Sequence, residues 1–142
     1  MTTSIQTISK EKLISFLKKI DVYFSPPLTS KVNIEVYTEK LLNNAYIDYN
    51  TYDDDIIALF AGYINESTFF LTLFVIDEIF QGKKVSYPLF KKNIDYLRKE
   101  KISIINLEVY KNNHRAITFY KKFNFEIISE NNDSYFMSAS IC

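Results

Sequence analysis

The sequence predicts an α+β or mixed α/β fold in which about four helices flank a mixed, mostly antiparallel twisted sheet of about seven strands. Some segments carry apolar residues at helical spacing, and others carry them at alternating positions. Consecutive β-rich stretches separated by short polar turns indicate an antiparallel meander. A strand, a helix and a strand then follow in that order, which indicates one parallel pair with a right-handed crossover.

Length and composition limit the classes of protein to consider. A chain of 142 residues predicts a single domain over residues 1–142, and its 47% hydrophobic and 24% charged residues are typical of a folded globular protein. The formal net charge is zero, so we expect neither a nucleic-acid partner nor an anionic membrane partner. The longest apolar run, residues 69–76, is too short to span a bilayer.

Cysteine and histidine usage argues against a metal site. The only cysteine is Cys142 and the only histidine is His114, so a Cys-based site lacks ligands and no intramolecular disulfide can form. This usage suits a reducing compartment, and we expect a cytoplasmic protein.

The first segments predict a short strand at residues 4–8 and then a helix capped by Ser9. Residues 21–29 contain two prolines and should form an aromatic-walled loop, and a weaker helix is predicted for residues 30–42. One face of the first helix carries four apolar residues at the spacing i, i+3, i+4 and i+7: Leu13, Phe16, Leu17 and Ile20.

The meander comprises strands at residues 45–52, 56–64 and 67–76, with turns at residues 53–55 and 65–66. The elements predicted after it are a helix at residues 88–101, a strand at 103–109, a helix at 113–123 and strands at 125–129 and 134–140.

Two stretches of the second half carry a resemblance to a known family. Residues 73–86 read LFVIDEIFQGKKVS, and the LEV of residues 107–109 is followed by NHRAITFYKKFNF at residues 113–125. Together they resemble the GNAT superfamily of N-acetyltransferases. The resemblance implies a GNAT-like fold, acetyl-CoA as co-substrate without a metal, and a small-molecule or peptide amine as acceptor.

The family's Q/R-x-x-G-x-G/A turn binds the coenzyme pyrophosphate with backbone N–H groups at a helix N-terminus. Gln81 matches this pattern, whereas Lys84 replaces the first glycine and Ser86 replaces the second small residue. The Lys84 side chain restricts the backbone but brings an ammonium near the phosphates. Pro88 predicts a helix that begins later than in relatives. The residues that would bind the pyrophosphate are Gln81, Gly82, Lys83, Lys84, Val85, Ser86 and Tyr87.

The resemblance also assigns the remaining contacts. The pantetheine would lie along the backbone of Phe74, Val75 and Ile76, and the Asn113 side chain would contact the coenzyme. Asn124 stands where a glycine usually ends the family's last helix, and asparagine also tolerates the left-handed conformation required there.

Acyl transfer to an amine needs a base for the amine proton and an acid for the thiolate. The resemblance makes Tyr120 the acid. Glu108 is the candidate base, with a water molecule as the open alternative. Each residue also has an interpretation without a catalytic role: Tyr120 can be read as a core residue of the helix, and Glu108 as a surface residue or as an ion-pair partner of Lys or Arg.

The acceptor end offers no diagnostic residue. Tyr23, Phe24 and Tyr87 are candidates to line an acceptor pocket, with core or surface positions as the alternative. A GNAT-like fold that lost catalysis and serves as a binding or oligomerisation module is the competing hypothesis, and pairing of edge strands would make a homodimer.

Overall fold

The computed structural model describes residues 8–24, 27–82 and 84–142. These residues form the α-helices α1 (Lys10–Ile20), α2 (Ile34–Asn44), α3 (Ser86–Lys99) and α4 (His114–Lys122). The strands are β1 (Tyr46–Tyr52), β2 (Asp55–Asn65), β3 (Thr68–Ile76), β4 (Ile104–Tyr110), β5 (Glu126–Glu130) and β6 (Ser134–Ser140).

The six strands form one sheet in the order β1-β2-β3-β4-β6-β5. This is the mixed, mostly antiparallel sheet that the sequence predicts, with six strands rather than about seven among the described residues. Of the first predicted strand, residues 4–7 lie outside the described residues, and Ile8 is a bend.

Contacts divide the chain into two compact units. One comprises Met1–Gly62 and Leu73–Asn93, and the other comprises Tyr63–Thr72 and Ile94–Cys142. This division by contacts does not test whether residues 1–142 fold as a single domain, so the single domain stays a prediction.

In the first unit, α1 begins where the sequence predicts. The Ser9 side chain accepts a hydrogen bond from Lys12 N at 3.3 Å, which satisfies one N–H group of the first turn. The predicted apolar face is buried as expected: Leu13, Phe16, Leu17 and Ile20 are at most 2% exposed.

Helix α2 begins four residues later than predicted. Leu28–Ser30 forms a separate 3₁₀ turn, and Asn33 caps α2 by accepting a hydrogen bond from Val36 N at 3.0 Å. A cap side chain competes with helical backbone bonding, so Asn33 starts a new helix rather than continuing the turn.

Strands β1 and β2 form an antiparallel hairpin whose register runs from Tyr46 opposite Gly62 to Tyr52 opposite Asp55. Asp53 and Asp54 connect the strands with φ angles of +50° and +68°. Two left-handed residues match the twist of a two-residue hairpin, and aspartate tolerates that conformation.

Helix α3 corrects one prediction. It begins at Ser86, two residues before the predicted start at Pro88, whereas a start later than in relatives stays a prediction. Proline is tolerated in the first helical turn because the N–H group that it lacks has no partner within the helix there.

The second unit contains the parallel pair. β3 and β4 pair from Thr68 opposite Ile104 to Leu71 opposite Leu107, and β6 pairs antiparallel with both β4 and β5. The turn before β3 is at Glu66–Ser67, one residue later than predicted, and Glu66 has a φ of +57°. The predicted inner face of β4 is buried: Ile105, Leu107 and Val109 are at most 6% exposed.

Helix α4 lies within the predicted residues 113–123, with an asparagine close to each end. The Asn113 side chain accepts a hydrogen bond from Ala116 N at 3.2 Å, and Asn124 has a φ of +67°. The chain therefore leaves the helix through the left-handed conformation that the sequence predicts at Asn124. No helix in the described part of the chain is long and apolar enough to cross a membrane.

Candidate functional site

The turn between β3 and α3 is open and contains two left-handed residues. Gly82 has a φ of +75°, and a Cβ placed on it would meet no atom within 4 Å. Lys84 has a φ of +62° although it is not glycine. Gly82 and Lys84 are both exposed, whereas Lys83 lies outside the described residues.

Helix α3 starts directly after this turn. Val85 O accepts a hydrogen bond from Leu89 N at 3.3 Å, which makes Val85 the residue that precedes the first helical turn. The N–H groups of a first turn point out of the helix end and carry the positive end of its dipole. An exposed turn with left-handed residues before such an end has the backbone form that binds phosphates. The residues present therefore fit a pyrophosphate.

The three β3 residues expected to follow the pantetheine lie directly before this turn. Val75 and Ile76 are 8% and 7% exposed, and the Phe74 ring lies 5.0 Å from the Phe90 ring in α3. The side chain of Gln81 donates from Nε2 to Ile76 O at 3.2 Å. Gln81 therefore closes the turn back onto the end of β3.

Residues to which the sequence assigned no role in this turn also hold it. Asp77 is 1% exposed, and its Oδ1 accepts a hydrogen bond from Ile79 N at 3.0 Å. Its Oδ2 lies 2.5 Å from Lys19 Nζ, and this hydrogen bond raises the pKa of Lys19 above its ordinary value. The Tyr23 hydroxyl accepts a hydrogen bond from Glu78 N at 2.7 Å. An aspartate directly after an apolar strand is the sequence signal for such a turn cap.

In the second unit, Tyr120 lies on the buried face of α4 and is 7% exposed. Its ring centroid lies 5.6 Å from that of Phe125 and 5.9 Å from that of Phe119. Burial raises the pKa of the Tyr120 phenol above its ordinary value. The phenol is protonated at neutral pH with or without this shift, as a proton donor must be, and the shift makes it a weaker acid.

Glu108 and Asn113 lie in the same unit as Tyr120. Glu108 is exposed on β4 opposite Phe136 of β6, between the buried residues Leu107 and Val109. Asn113 is exposed, and its Oδ1 already accepts the capping hydrogen bond from Ala116 N. The amide nitrogen of Asn113 and the second lone pair of Oδ1 are the groups that a ligand contact would use.

The structure thus brings the predicted residues together in two groups. Phe74, Val75, Ile76 and the turn residues from Gln81 to Tyr87 lie in the first unit, and Glu108, Asn113 and Tyr120 lie in the second. Within the described ranges, no group of three or more His, Cys, Asp or Glu side chains is arranged to hold a metal ion.

Comparison with known proteins gives one family and a consistent set of folds. The model of the acetyltransferase (GNAT) family matches residues 16–125. Compared by sequence with curated proteins, the chain matches none of them.

Three solved structures illustrate the similarity. PaiA N-acetyltransferase from Thermoplasma acidophilum, in complex with coenzyme A, is 18% identical with a TM-score of 0.76, covering 99% of each chain. The ribosomal-protein-S18-alanine N-acetyltransferase from Escherichia coli is 15% identical with a TM-score of 0.78, covering 99% of this chain and 92% of that one. An aminoglycoside 6′-N-acetyltransferase complexed with coenzyme A is 10% identical with a TM-score of 0.78, and the match covers 99% of this chain and 96% of that one.

Proposed function

The chain belongs to the GNAT acetyltransferase family, and we propose that it transfers an acetyl group from acetyl-CoA to a primary amine. The observation that carries this proposal is the open turn of Gly82 and Lys84 directly before α3, which has the backbone form of a phosphate site. The presence of coenzyme A in two similar structures supports the same ligand class.

In this proposal the turn binds the pyrophosphate through backbone N–H groups, and the Lys84 ammonium adds a charge that glycine would not supply. The pantetheine follows the backbone at the end of β3, and Asn113 contributes a polar contact. The residues that would bind the coenzyme are Phe74, Val75, Ile76, Gln81, Gly82, Lys83, Lys84, Val85, Ser86, Tyr87 and Asn113.

The proposed reaction is direct. The amine nitrogen attacks the thioester carbonyl, so that a C–N bond forms and the C–S bond breaks. Glu108 or a water molecule takes the amine proton, and Tyr120 donates a proton to the departing thiolate. A phenol is protonated at neutral pH, as a donor must be, and the resemblance of residues 113–125 to the family supports assigning this role to Tyr120.

A direct route needs no nucleophile from the protein. The only cysteine, Cys142, is exposed and follows β6, outside both groups of candidate site residues. We therefore propose that positioning of the two substrates supplies most of the rate enhancement. Trapping of an acetylated protein with labelled acetyl-CoA and no acceptor would contradict this route.

The acceptor class is a primary amine on a small molecule or a peptide. Similar structures include enzymes named for an aminoglycoside and for an alanine of a ribosomal protein. A screen of both amine classes that follows release of the coenzyme thiol would identify the class.

One observation favours a second candidate function, a binding module without catalysis. Lys84 has a side chain at a left-handed position, where the family pattern has glycine. Such a module would keep the fold and lose the coenzyme.

Calorimetric titration with coenzyme A separates the two functions. We expect a micromolar Kd for the wild-type chain and at least about tenfold weaker binding for Gly82→Val, because a β-branched residue is strained at a φ of +75°. Absence of heat and of any thermal shift with the wild-type chain would favour the module.

A further inference from the structure

We call the open turn of Gly82 and Lys84 before α3 the phosphate turn. The segment between the end of β3 and this turn is bonded to α1 and to the residues that follow α1. Asp77 N donates to Ile57 O at 2.7 Å, which joins the start of the segment to β2. Phe80 N donates to Asp77 O at 2.8 Å, and Gln81 N donates to Glu78 O at 3.2 Å. These bonds form the 3₁₀ turn Glu78–Phe80, which Asp77 precedes and Gln81 follows, and Gln81 leads into Gly82.

Asp77 holds this turn from the inside. Its carboxylate is buried, and it binds both Ile79 N and the Lys19 ammonium. A buried carboxylate requires such partners, because an unpaired charge is costly to remove from water. Lys19 lies in the last turn of α1, so the ion pair connects that helix end to the turn.

Tyr23 supplies a second, independent contact. Glu78 N is in the first turn of the 3₁₀ segment and donates to the Tyr23 hydroxyl at 2.7 Å. Tyr23 belongs to the short 3₁₀ turn Asp21–Tyr23, which directly follows α1. Without this hydroxyl, the Glu78 N–H would depend on water as its acceptor. The sequence placed Tyr23 among candidate acceptor-pocket residues, whereas the structure engages its hydroxyl with this turn.

We propose that Asp77 and Tyr23 are positioning residues that fix the phosphate turn before the coenzyme binds, and that α1 thereby controls coenzyme affinity. This inference rests on the proposed function, since it concerns the pyrophosphate part of the same ligand. Neither residue touches the reacting atoms. Their effect is to remove alternative conformations of residues 78–82, which lowers the ordering cost of binding.

The first test is amide hydrogen exchange in the protein without coenzyme. Tyr23→Phe removes only the acceptor for Glu78 N and should increase exchange at Glu78 about fivefold to tenfold. Asp77→Ala removes the acceptor for Ile79 N and should increase exchange at Ile79 by the same factor. Asp77→Asn keeps an acceptor oxygen, so exchange at Ile79 should increase less. Lys18→Met, which changes the neighbouring exposed lysine of α1, serves as the control. Unchanged exchange in Tyr23→Phe and Asp77→Ala would overturn the inference.

The second test compares two ligands that differ in the pyrophosphate. Tyr23→Phe and Asp77→Asn should weaken coenzyme A binding about fivefold to tenfold and leave pantetheine binding, measured by ligand-observed NMR, unchanged. A general loss of structure would weaken both ligands and lower the Tm. Equal affinities for coenzyme A in the variants and the wild type would overturn the inference while the proposed function stands. If the wild-type chain does not bind coenzyme A, the proposed function fails first, and this inference fails with it.

Discussion

Lys92 Nζ lies 2.8 Å from Oδ2 of Asp48, whose side chain is fully buried. The same carboxylate accepts hydrogen bonds from Asn93 Nδ2 at 2.8 Å and from Tyr49 N at 2.9 Å. Lys92 Nζ is within ion-pair distance, but among the described residues it makes no hydrogen bond of good geometry. At this point the hydrogen bond from Asn93 and the charge attraction of Lys92 therefore both link β1 to α3.

Lys92→Met should destabilise the protein by about 3 kcal/mol, because it leaves the buried Asp48 carboxylate without its cation. This loss is at the lower end of the range for buried pairs because the Lys92 side chain is 36% exposed. Urea unfolding measures the effect, with Lys91→Met as the exposed control on the same helix. Equal losses in the two variants would show that the ion pair contributes nothing specific.

Lys84→Gly should raise the free energy of unfolding by about 0.5–1 kcal/mol, because glycine adopts a φ of +62° without the steric cost that a side chain carries. Lys84→Ala is the matched control, since it removes the same ammonium but keeps the Cβ atom. The two variants should therefore differ in urea unfolding. If alanine stabilises as much as glycine, charge rather than backbone conformation is responsible.

Tyr120→Phe should lower kcat about a hundredfold and leave the Kd for coenzyme A nearly unchanged, as expected for loss of a general acid. Tyr96→Phe removes the hydroxyl of a tyrosine on α3 to which no role is assigned, and serves as the control. Steady-state rates with a responsive amine and calorimetric titration provide the two readouts. Equal kcat values in wild type and Tyr120→Phe would remove the acid role.

The raised pKa of Tyr120 also predicts how stability depends on alkaline pH. The unfolded phenol loses its proton near pH ~10, while the folded phenol keeps it, so the unfolded state binds fewer protons above that pH. The stability that Tyr120 contributes is therefore complete below pH ~10 and is lost as pH rises above it. From about pH 9 to about pH 11, the free energy of unfolding of the wild type, measured in urea, should fall by about 1 kcal/mol more than that of Tyr120→Phe. If the free energy of unfolding depends on pH in the same way in both proteins, the raised pKa of Tyr120 is contradicted.

Glu108→Gln should lower kcat/KM for the amine about a hundredfold at neutral pH, because the amide cannot accept the amine proton. The variant should recover activity as pH rises and more of the amine is already deprotonated. Glu126→Gln, at an exposed position on β5, is the control. A pH profile that is the same in Glu108→Gln and wild type would leave a water molecule as the base.

Local pattern was enough to predict most elements of the fold. The Ser9 cap, the buried face of α1 and the left-handed Asn124 each depend on a few neighbouring residues. Periodicity and capping chemistry act over that same range. The predicted start of α2 was wrong because Leu28–Ser30 forms a separate 3₁₀ turn and Asn33 caps a new helix after it. A short stretch of sequence does not show which of the two starts is favoured.

For the candidate site, the sequence indicated the turn from Gln81 to Ser86 through its family resemblance. The sequence also placed the start of α3 at Pro88, two residues too late, although proline within the first turn of a helix removes no helical hydrogen bond. Nothing in the local pattern linked Asp77 to Lys19, which lies 58 positions earlier, or Tyr23 to Glu78, 55 positions away.

The amino-acid sequence by itself determined the order and type of the elements and the resemblance that leads to acetyl transfer, because periodicity, caps and motif residues are local properties. Only the tertiary structure decided the Asp77–Lys19 ion pair, the hydrogen bond from Glu78 N to Tyr23 and the burial of Tyr120. These features arise from contacts between residues that are distant in the chain. Burial and hydrogen-bond partners exist only once the chain has packed, so they have no signature in a short window of sequence.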